Sequence, residues 1–443
     1  MKKTLTIVSF LLLMVFTVNA QTAKIKLIEY DLPNGLHVIL HQDHNTPNVV
    51  ASLMYHVGAK NEDPERTGFA HLFEHLMFEG AENIARGDYF KIVQGAGGEL
   101  NANTTQDRTY YFEMMPSNQL ELALWMEAER MLHAKIDSIG VATQKGVVIE
   151  EKKQAYDNQP YGTWIYELGR RAFTQHPYRW QTIGSEEHIL NSTFDDVYNF
   201  YKTYYVPNNA VLVVVGDFDE AQTKQWIEKY FAGIPRGTRP MNRPTIVEPP
   251  QTAEIRDVVY DKIQLPAVFM GYHTPAIDNK DAYAVEILCK ILFGGNSSRF
   301  KTNIDDKGLA LQTVILPYGY EQSEHPGLAY VIALPNAGIA VETLEEALTA
   351  EIERMQNELV SEDEFKMAMA AKEFEVAGGL TRISNIAEDL ARNYTYSKDA
   401  ERINRELSFY QNITREDLQA VAQKYFNRNN RTVLHYLPES EKK

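Results

Sequence analysis

Disulfides cannot brace this chain, because Cys289 is its only cysteine. A chain of 443 residues without cross-links must be held by its core, and an apolar fraction of 44% supplies one. Cys289 itself lies in the apolar run Val285-Glu286-Ile287-Leu288-Cys289, which points to a buried, inert thiol. Basic residues are also scarce: 44 Lys and Arg stand against 60 Asp and Glu, a formal charge of −16. That balance argues against nucleic acid and weakly favours cationic ligands. Long hydrophobic runs are missing after the first twenty residues. No later stretch reaches about 18 unbroken apolar residues, so no membrane span is expected in the mature chain.

The first twenty residues differ from the rest. Lys2 and Lys3 precede an apolar run from Leu5 to Val18, and Val18-Asn19-Ala20 fits a small-residue cleavage site. This is the pattern of a secretory signal peptide, so export to the periplasm or beyond the cell is expected. Its removal takes the charge from −16 to −18. No cysteine follows the site, so no lipid anchor is expected there.

What is present centres on His71-Leu72-Phe73-Glu74-His75. At about 100° per residue on a helix, His75 lies about 40° round from His71 and Glu74 about 60° the other way. All three then share a face. Two neutral imidazoles can hold Zn²⁺, and a carboxylate beside them can take a proton from a water that the metal activates. H-x-x-E-H is the inverted form of the zincin motif H-E-x-x-H. Phe69, Leu72, Phe73, Leu76 and Met77 form an apolar stripe at helical spacing, with Thr67 to cap the start and Gly80 to end it. His37 and His41 are also four apart, but their segment reads as a strand, where four residues span roughly 13 Å. They are expected to be exposed strand histidines. His133, His176 and His188 have no partner at metal spacing and are expected to be structural or exposed.

Alternation and turn residues give strands near 27–42 and 48–57, a hairpin over 99–104 and 108–115, and an apolar strand at 210–216. Helical spacing covers 117–134, 138–158, 160–174, 193–205 and 220–231. Pro235, Pro240, Pro244, Pro249 and Pro250 then mark a linker. Beyond it, strands fall near 254–260, 266–273, 309–318 and 326–334, and helices at 279–293, 341–359, 361–376 and 384–396. The restart is an internal repeat. Thr193, Tyr204 and Asn208 recur as Thr414, Tyr425 and Asn429, each pair 221 residues apart. The expected divisions are a signal peptide (1–20), a domain carrying the motif (21–234), the linker (235–250), a homologous domain without it (251–438) and a tail (439–443). The helix of the second copy reads Ala284-Val285-Glu286-Ile287-Leu288, so the metal site belongs to one copy only.

A zinc site needs a third protein ligand. Glu150 and Glu151 offer one from a predicted helix, and point about 100° apart on it. Here the sequence resembles a known family, the inverted-zincin peptidases of the pitrilysin type. It is most similar to the short subfamily that includes the mitochondrial processing peptidase β subunit. The resemblance is carried by H-x-x-E-H with Phe78-Glu79-Gly80, by Asn101-Ala102-Asn103-Thr104, by His176-Pro177-Tyr178 with Ile183-Gly184, and by Tyr204-Tyr205-Val206-Pro207-Asn208-Asn209-Ala210. It covers essentially the whole mature chain. Aligning Gln144–Glu151 on the family's E-R-G-V-x-x-x-E segment puts the third ligand at Glu151, with 75 residues between it and His75.

The resemblance implies an α+β fold of two homologous domains, each a largely antiparallel sheet with helices packed on one face. It implies a zinc endopeptidase cutting extended or unfolded peptides, with His71, His75 and Glu151 as ligands and Glu74 as general base. The alternative is a non-catalytic or weakly active subunit of a two-chain complex. The strand at Gly98–Thr104 resembles the one that pairs with substrate backbone, making Asn101, Ala102 and Asn103 candidate substrate-binding residues. Gln144 stands where the family usually has a glutamate supporting the site, and Gln144→Glu is expected to leave activity unchanged or raise it. Long family members close a chamber with four such domains. This chain has two, so a homologous partner chain is expected, as a heterodimer or a homodimer. The family's distal half also supplies a substrate-holding Arg, and Ala329 in Gly327-Leu328-Ala329-Tyr330 stands at that position, which favours a distinct partner.

Overall fold

The computed structural model describes residues 24–318 and 323–442; the signal segment expected at 1–20 lies outside them. Strands β1 (Ile28–Asp31), β2 (His37–Gln42), β3 (Asn48–Tyr55), β4 (Glu99–Thr104), β5 (Thr109–Pro116) and β6 (Ala210–Gly216) form one sheet, in the order β1-β2-β6-β3-β5-β4. Strands β7 (Ile255–Asp261), β8 (Ala267–Thr274), β9 (Ala310–Leu316), β10 (Gly327–Pro335) and β11 (Arg431–Pro438) form the other, in the order β7-β11-β8-β10-β9. Each sheet is antiparallel except for one pair, β2 with β6 and β7 with β11. The first half contains α1 (Phe69–Leu76), α2 (Tyr89–Gly95), α3 (Leu120–His133), α4 (Ser138–Lys152), α5 (Trp164–Ala172), α6 (Glu186–Asn191), α7 (Phe194–Tyr204) and α8 (Glu220–Phe231). The second contains α9 (Asp281–Leu292), α10 (Val341–Asn357), α11 (Glu362–Gly379), α12 (Ile383–Ser397), α13 (Glu406–Tyr410) and α14 (Arg415–Tyr425). The fold is α+β in two like halves. Among the described residues no helix is long and apolar enough to cross a membrane.

The repeat holds at the level of single bonds. Thr193 and Asp196 form a reciprocal cap at the start of α7, and Thr414 and Asp417 form the same cap on α14. Asn209 Nδ2 donates to the Tyr204 carbonyl at 2.8 Å, and Asn430 Nδ2 to that of Tyr425 at 2.7 Å. Each turn then enters an interior strand of its sheet, β6 or β11.

Each half's own helices lie on one face of its sheet. The opposite face is covered by a helix from the other half. Ile386, Leu390 and Ala391 of α12 pack on Ile39, Val50, Val211 and Val213 of the first sheet. Leu168 and Ala172 of α5 pack on Phe269, Leu434 and Tyr436 of the second. Shifted by the repeat interval, residues 164–172 fall at 385–393, inside α12. The exchanged helices are therefore equivalents.

This exchange corrects one expectation. His37 and His41 are buried, at 8% and 9% exposure, not exposed. The His37 ring stacks on Tyr394 of α12 with centroids 3.5 Å apart, and its nitrogens meet Asp31 at 2.8 Å and Glu29 at 3.3 Å. Strand alternation shows which face a residue takes but not that a distant helix will cover it.

A buried polar seam also joins the halves. Lys60, 1% exposed, donates to Asp107 Oδ1 at 2.7 Å and to Glu324 Oε2. Glu324 also meets His56 Nε2 at 2.7 Å, and its backbone N–H donates to Asp107 Oδ2 at 3.0 Å. The Tyr178 hydroxyl donates to Asp107 at 2.7 Å and accepts the His325 N–H at 3.1 Å. Burial alone would raise the Glu324 carboxyl, but the His56 bond and the Lys60 charge hold it well below the usual carboxylate range.

Burial lowers the pKa of His56, His176 and His325, that of His176 to about 4. His176 faces His325, Asp107, Glu248 and Lys60. The unfolded chain therefore binds more protons than the fold below about pH 6.5, and stability falls on acidification. For His176 the loss runs from about pH 6.5 to about 4, at up to about 1.4 kcal/mol per pH unit. Thermal melts should show Tm dropping over this window, with a flatter profile in His176→Gln; parallel profiles would remove His176 from the account.

Candidate metal centre

Helix α1 presents His71, Glu74 and His75. Its N-cap is Gly68, at φ 96°, where a Cβ would lie 2.9 Å from the Ile183 carbonyl oxygen. Thr67 does not cap the helix, contrary to expectation. Its hydroxyl meets His188 Nδ1 at 2.9 Å and accepts the Ser185 N–H at 3.1 Å. The first-turn N–H groups go instead to Glu62, one carboxylate oxygen accepting from Gly68 at 2.9 Å and the other from Ala70 at 2.8 Å. Glu62 is 2% exposed, and burial pushes its carboxyl up to about 8 despite these backbone bonds. At the other end, Arg130 Nη1 donates to the Met77 carbonyl at 2.9 Å. Arg130 is wholly buried between the rings of Phe78, Tyr89 and Tyr111, and pairs with Glu113 at 3.0 Å and Glu127 at 3.2 Å. The Glu62 carboxyl at the start and the Arg130 guanidinium at the end each satisfy unpaired backbone groups of the helix, and the guanidinium also suits its dipole. Replacing Glu62 by Gln removes one acceptor oxygen. The expected cost is about 1–3 kcal/mol, with weaker metal retention, read by urea melts and metal titration. Wild-type values in both would deny Glu62 this role.

The third group comes from α4, which packs beside α1. Glu151 Oε2 lies 3.2 Å from His75 Nε2, and Oε1 lies 3.7 Å from His71 Nε2. One ligand atom from each of His71, His75 and Glu151 falls within 4.8 Å of the others. Glu150 is exposed and accepts from Gln154 Nε2 at 3.3 Å. Burial, then the neighbouring His75, lowers the His71 pKa to about 4, so this imidazole stays neutral with a lone pair to give. The His75 hydrogen bond lowers Glu151, which stays ionised. Two imidazoles and one carboxylate are a donor set that zinc accepts.

Of these groups His71 lines a cleft of about 510 Å³, which Glu74, Ala102, Asn103 and Arg108 also line. Glu74 accepts from the Thr104 hydroxyl at 2.6 Å, and burial raises its carboxyl above the usual value. Among the described residues, strand β4 ends its sheet and pairs only with β5. The Asn101 side chain turns back to the Ala102 N–H at 2.9 Å, while Arg108 Nη1 holds the Asn103 carbonyl at 3.2 Å. The second half contributes Glu388 and Arg392 of α12 to the cleft wall. Neither residue, nor Glu62 or Arg130, is marked by local pattern. Glu62 lies six residues before Gly68, beyond capping-box spacing.

Two expectations change. Gln144 does not meet the imidazoles; its Nε2 donates to Glu79 Oε1 at 2.5 Å. Gln144→Glu would set a second carboxylate against Glu79, a repulsion that the Arg86 guanidinium, 2.5 Å from Glu79 Oε2, offsets only in part. The variant should melt below wild type at pH 7, with the gap closing toward pH 5. A pH-independent gap would point to some other cause. Ala329 is the second. It is fully buried among the helices of its own half with Val331, while Leu328 and Tyr330 face the first half. An Arg at 329 would sit in that core, so its lack says nothing about a partner.

Residues 37–185 match the family model described as Insulinase (Peptidase family M16), and residues 191–372 match that of the Peptidase M16 inactive domain. A relative named "Zinc protease PqqE", from Helicobacter pylori, is 29% identical over 412 residues, covering 92% of each chain. The crystal structure of a protease from Helicobacter pylori superposes with a TM-score of 0.88 at 28% identity, covering 94% of this chain and 100% of that one. The periplasmic protease PqqL from Escherichia coli shares the fold, with a TM-score of 0.75 at 16% identity, over 93% of this chain and 47% of that one. The first family model falls on the half with the His71–Glu151 cluster and the "inactive" one on the half without it, and together they show that this chain belongs to the M16 family of peptidases.

Proposed function

We propose that this chain is a zinc-dependent endopeptidase of extended or unfolded peptides. The observation that carries this reading is the His71, His75 and Glu151 cluster, with His71 and Glu74 on the wall of one open cleft. His71, His75 and Glu151 would hold the ion. When bound, zinc supplies a Lewis acid that makes water a better nucleophile and a peptide carbonyl a better electrophile. Glu74 takes the proton of the attacking water and returns it to the leaving amine. Thr104 orients that carboxylate through its 2.6 Å bond. The unpaired edge of β4 binds peptide backbone by strand addition, which tolerates varied sequences.

Residues 1–20 would direct export, and the enzyme would act in the periplasm or outside the cell. Two domains leave the cleft open on one side, and a second two-domain chain, identical or homologous, would close it. The fold of the PqqL protease, spanned by this chain over about half its length, supports that arrangement. Metal analysis, light scattering and a peptide-cleavage assay on purified protein test the reading together. Zinc at one per chain, with cleavage abolished by chelation and restored by zinc, is the expected result. A chain that binds no zinc and cuts no peptide would refute it, and robust cleavage by a monomer would refute the closed chamber.

A further inference from the structure

A second pocket, of about 80 Å³, lies between the two halves beside the metal cleft. Thr105 and Thr182 line both, so the two adjoin at that rim. Thr105 directly follows Thr104, the residue bonded to Glu74. Ile165 and Phe173 form the wall from the first half, and Leu328 and Tyr330 of β10 that from the second. Tyr178 and His273 hold the Phe173 ring edge-on, with centroids at 5.9 and 5.1 Å, and Trp164 meets Tyr330 likewise at 5.1 Å. The walls are thus set before anything enters.

We propose that this pocket receives an apolar side chain of the peptide substrate, from a residue a few positions N-terminal to the cut. The inference rests on the peptidase reading above and adds a substrate preference to it. The direction follows from β4. A peptide added antiparallel to β4 runs as β5 does, and β5 begins opposite Thr104 with Thr109. Its N-terminal residues therefore leave the edge at Thr104 and pass over Thr105.

The chemistry follows from the lining. Among the described residues that line it, Asp107 is the one that carries a charge. Its carboxylate is already engaged by Lys60, by the Tyr178 hydroxyl and by the Glu324 N–H. Among the described lining residues, a basic side chain would find no free anion and an acidic one no cation. The pocket is small beside the 510 Å³ cleft, which suits Val, Leu or Met better than Trp.

The test uses peptides that differ at one position at a time on each side of the cut, carrying Leu, Trp, Lys or Asp. Leu should exceed Lys and Asp in kcat/KM by about tenfold or more at one N-terminal-side position. Ile165 is half-buried at the wall, so Ile165→Lys should fold and should raise Asp relative to Leu at that position alone. Leu328→Ala should admit Trp. Equal cleavage of all four peptides, a preference confined to the C-terminal side, or an Ile165→Lys profile like wild type would each overturn the proposal. If wild type cuts nothing, the peptidase reading fails separately. Fluorescence anisotropy of the same labelled peptides still judges the pocket: tighter binding of Leu than Asp, lost in Ile165→Lys, supports it, and equal binding overturns it.

Discussion

Glu74→Gln should abolish peptide cleavage while leaving zinc bound. The amide keeps the size of the side chain and can still accept from Thr104, but it cannot take a proton. General-base catalysis contributes about 10²–10⁴-fold, so turnover should fall by at least that much. His71→Ala and His75→Ala should lose both metal and activity, because each removes a ligand from a three-residue set. Glu151→Gln should weaken zinc far more than Glu150→Gln, since only Glu151 faces the imidazoles. Metal content by mass spectrometry, set beside kcat for each variant, separates base from ligands. A Glu74→Gln enzyme turning over near the wild-type rate would refute the assignment.

Lys60→Met should be the most destabilising single change at the seam between the halves. It leaves buried Asp107 and half-buried Glu324 without their cation, and breaking a buried pair costs about 3–5 kcal/mol. The wild-type seam ties the residues before α1, the end of the β4–β5 hairpin and the second half to one ammonium. Urea melts would measure the loss. Adding Glu324→Gln should recover part of it, and that coupling distinguishes a lost ion pair from lost packing. Strict additivity of the two changes would show that the pair is not coupled.

The elements of this fold are legible in the sequence because its helices and strands are amphipathic and its turns carry Gly, Pro and Asn. The repeat is legible because the same cap and turn residues recur at one interval. The His71, Glu74 and His75 face is readable because its members are close in sequence. What lies across the fold is not. Glu62 reaches the helix it caps around a left-handed glycine, so Thr67 looked like the cap. His37 and His41 sit in a strand whose outer face is covered from the other half, so they looked exposed. Gln144 takes its expected role from the family's aligned segment, yet its partner is Glu79, just past the end of α1. Each miss involves a residue whose partner is set by tertiary packing and not by local spacing.

The exchange of α5 and α12 bears on how such a chain could have arisen and how it can be taken apart. Two equivalent helices, each docked on the other copy's sheet, are the arrangement of a domain-swapped pair with two-fold symmetry. An ancestral single copy would have been an obligate dimer, and gene fusion would have joined two protomers already intertwined. The join is residues 235–254, which carry neither helix nor strand. A protease nick there would sever the polypeptide without releasing the pieces, since each fragment alone would bare the apolar sheet face its counterpart covers. Separately expressed, the fragments should reconstitute only when mixed, and the zinc cleft, walled by Glu388 and Arg392, would be whole only in the reassembled complex.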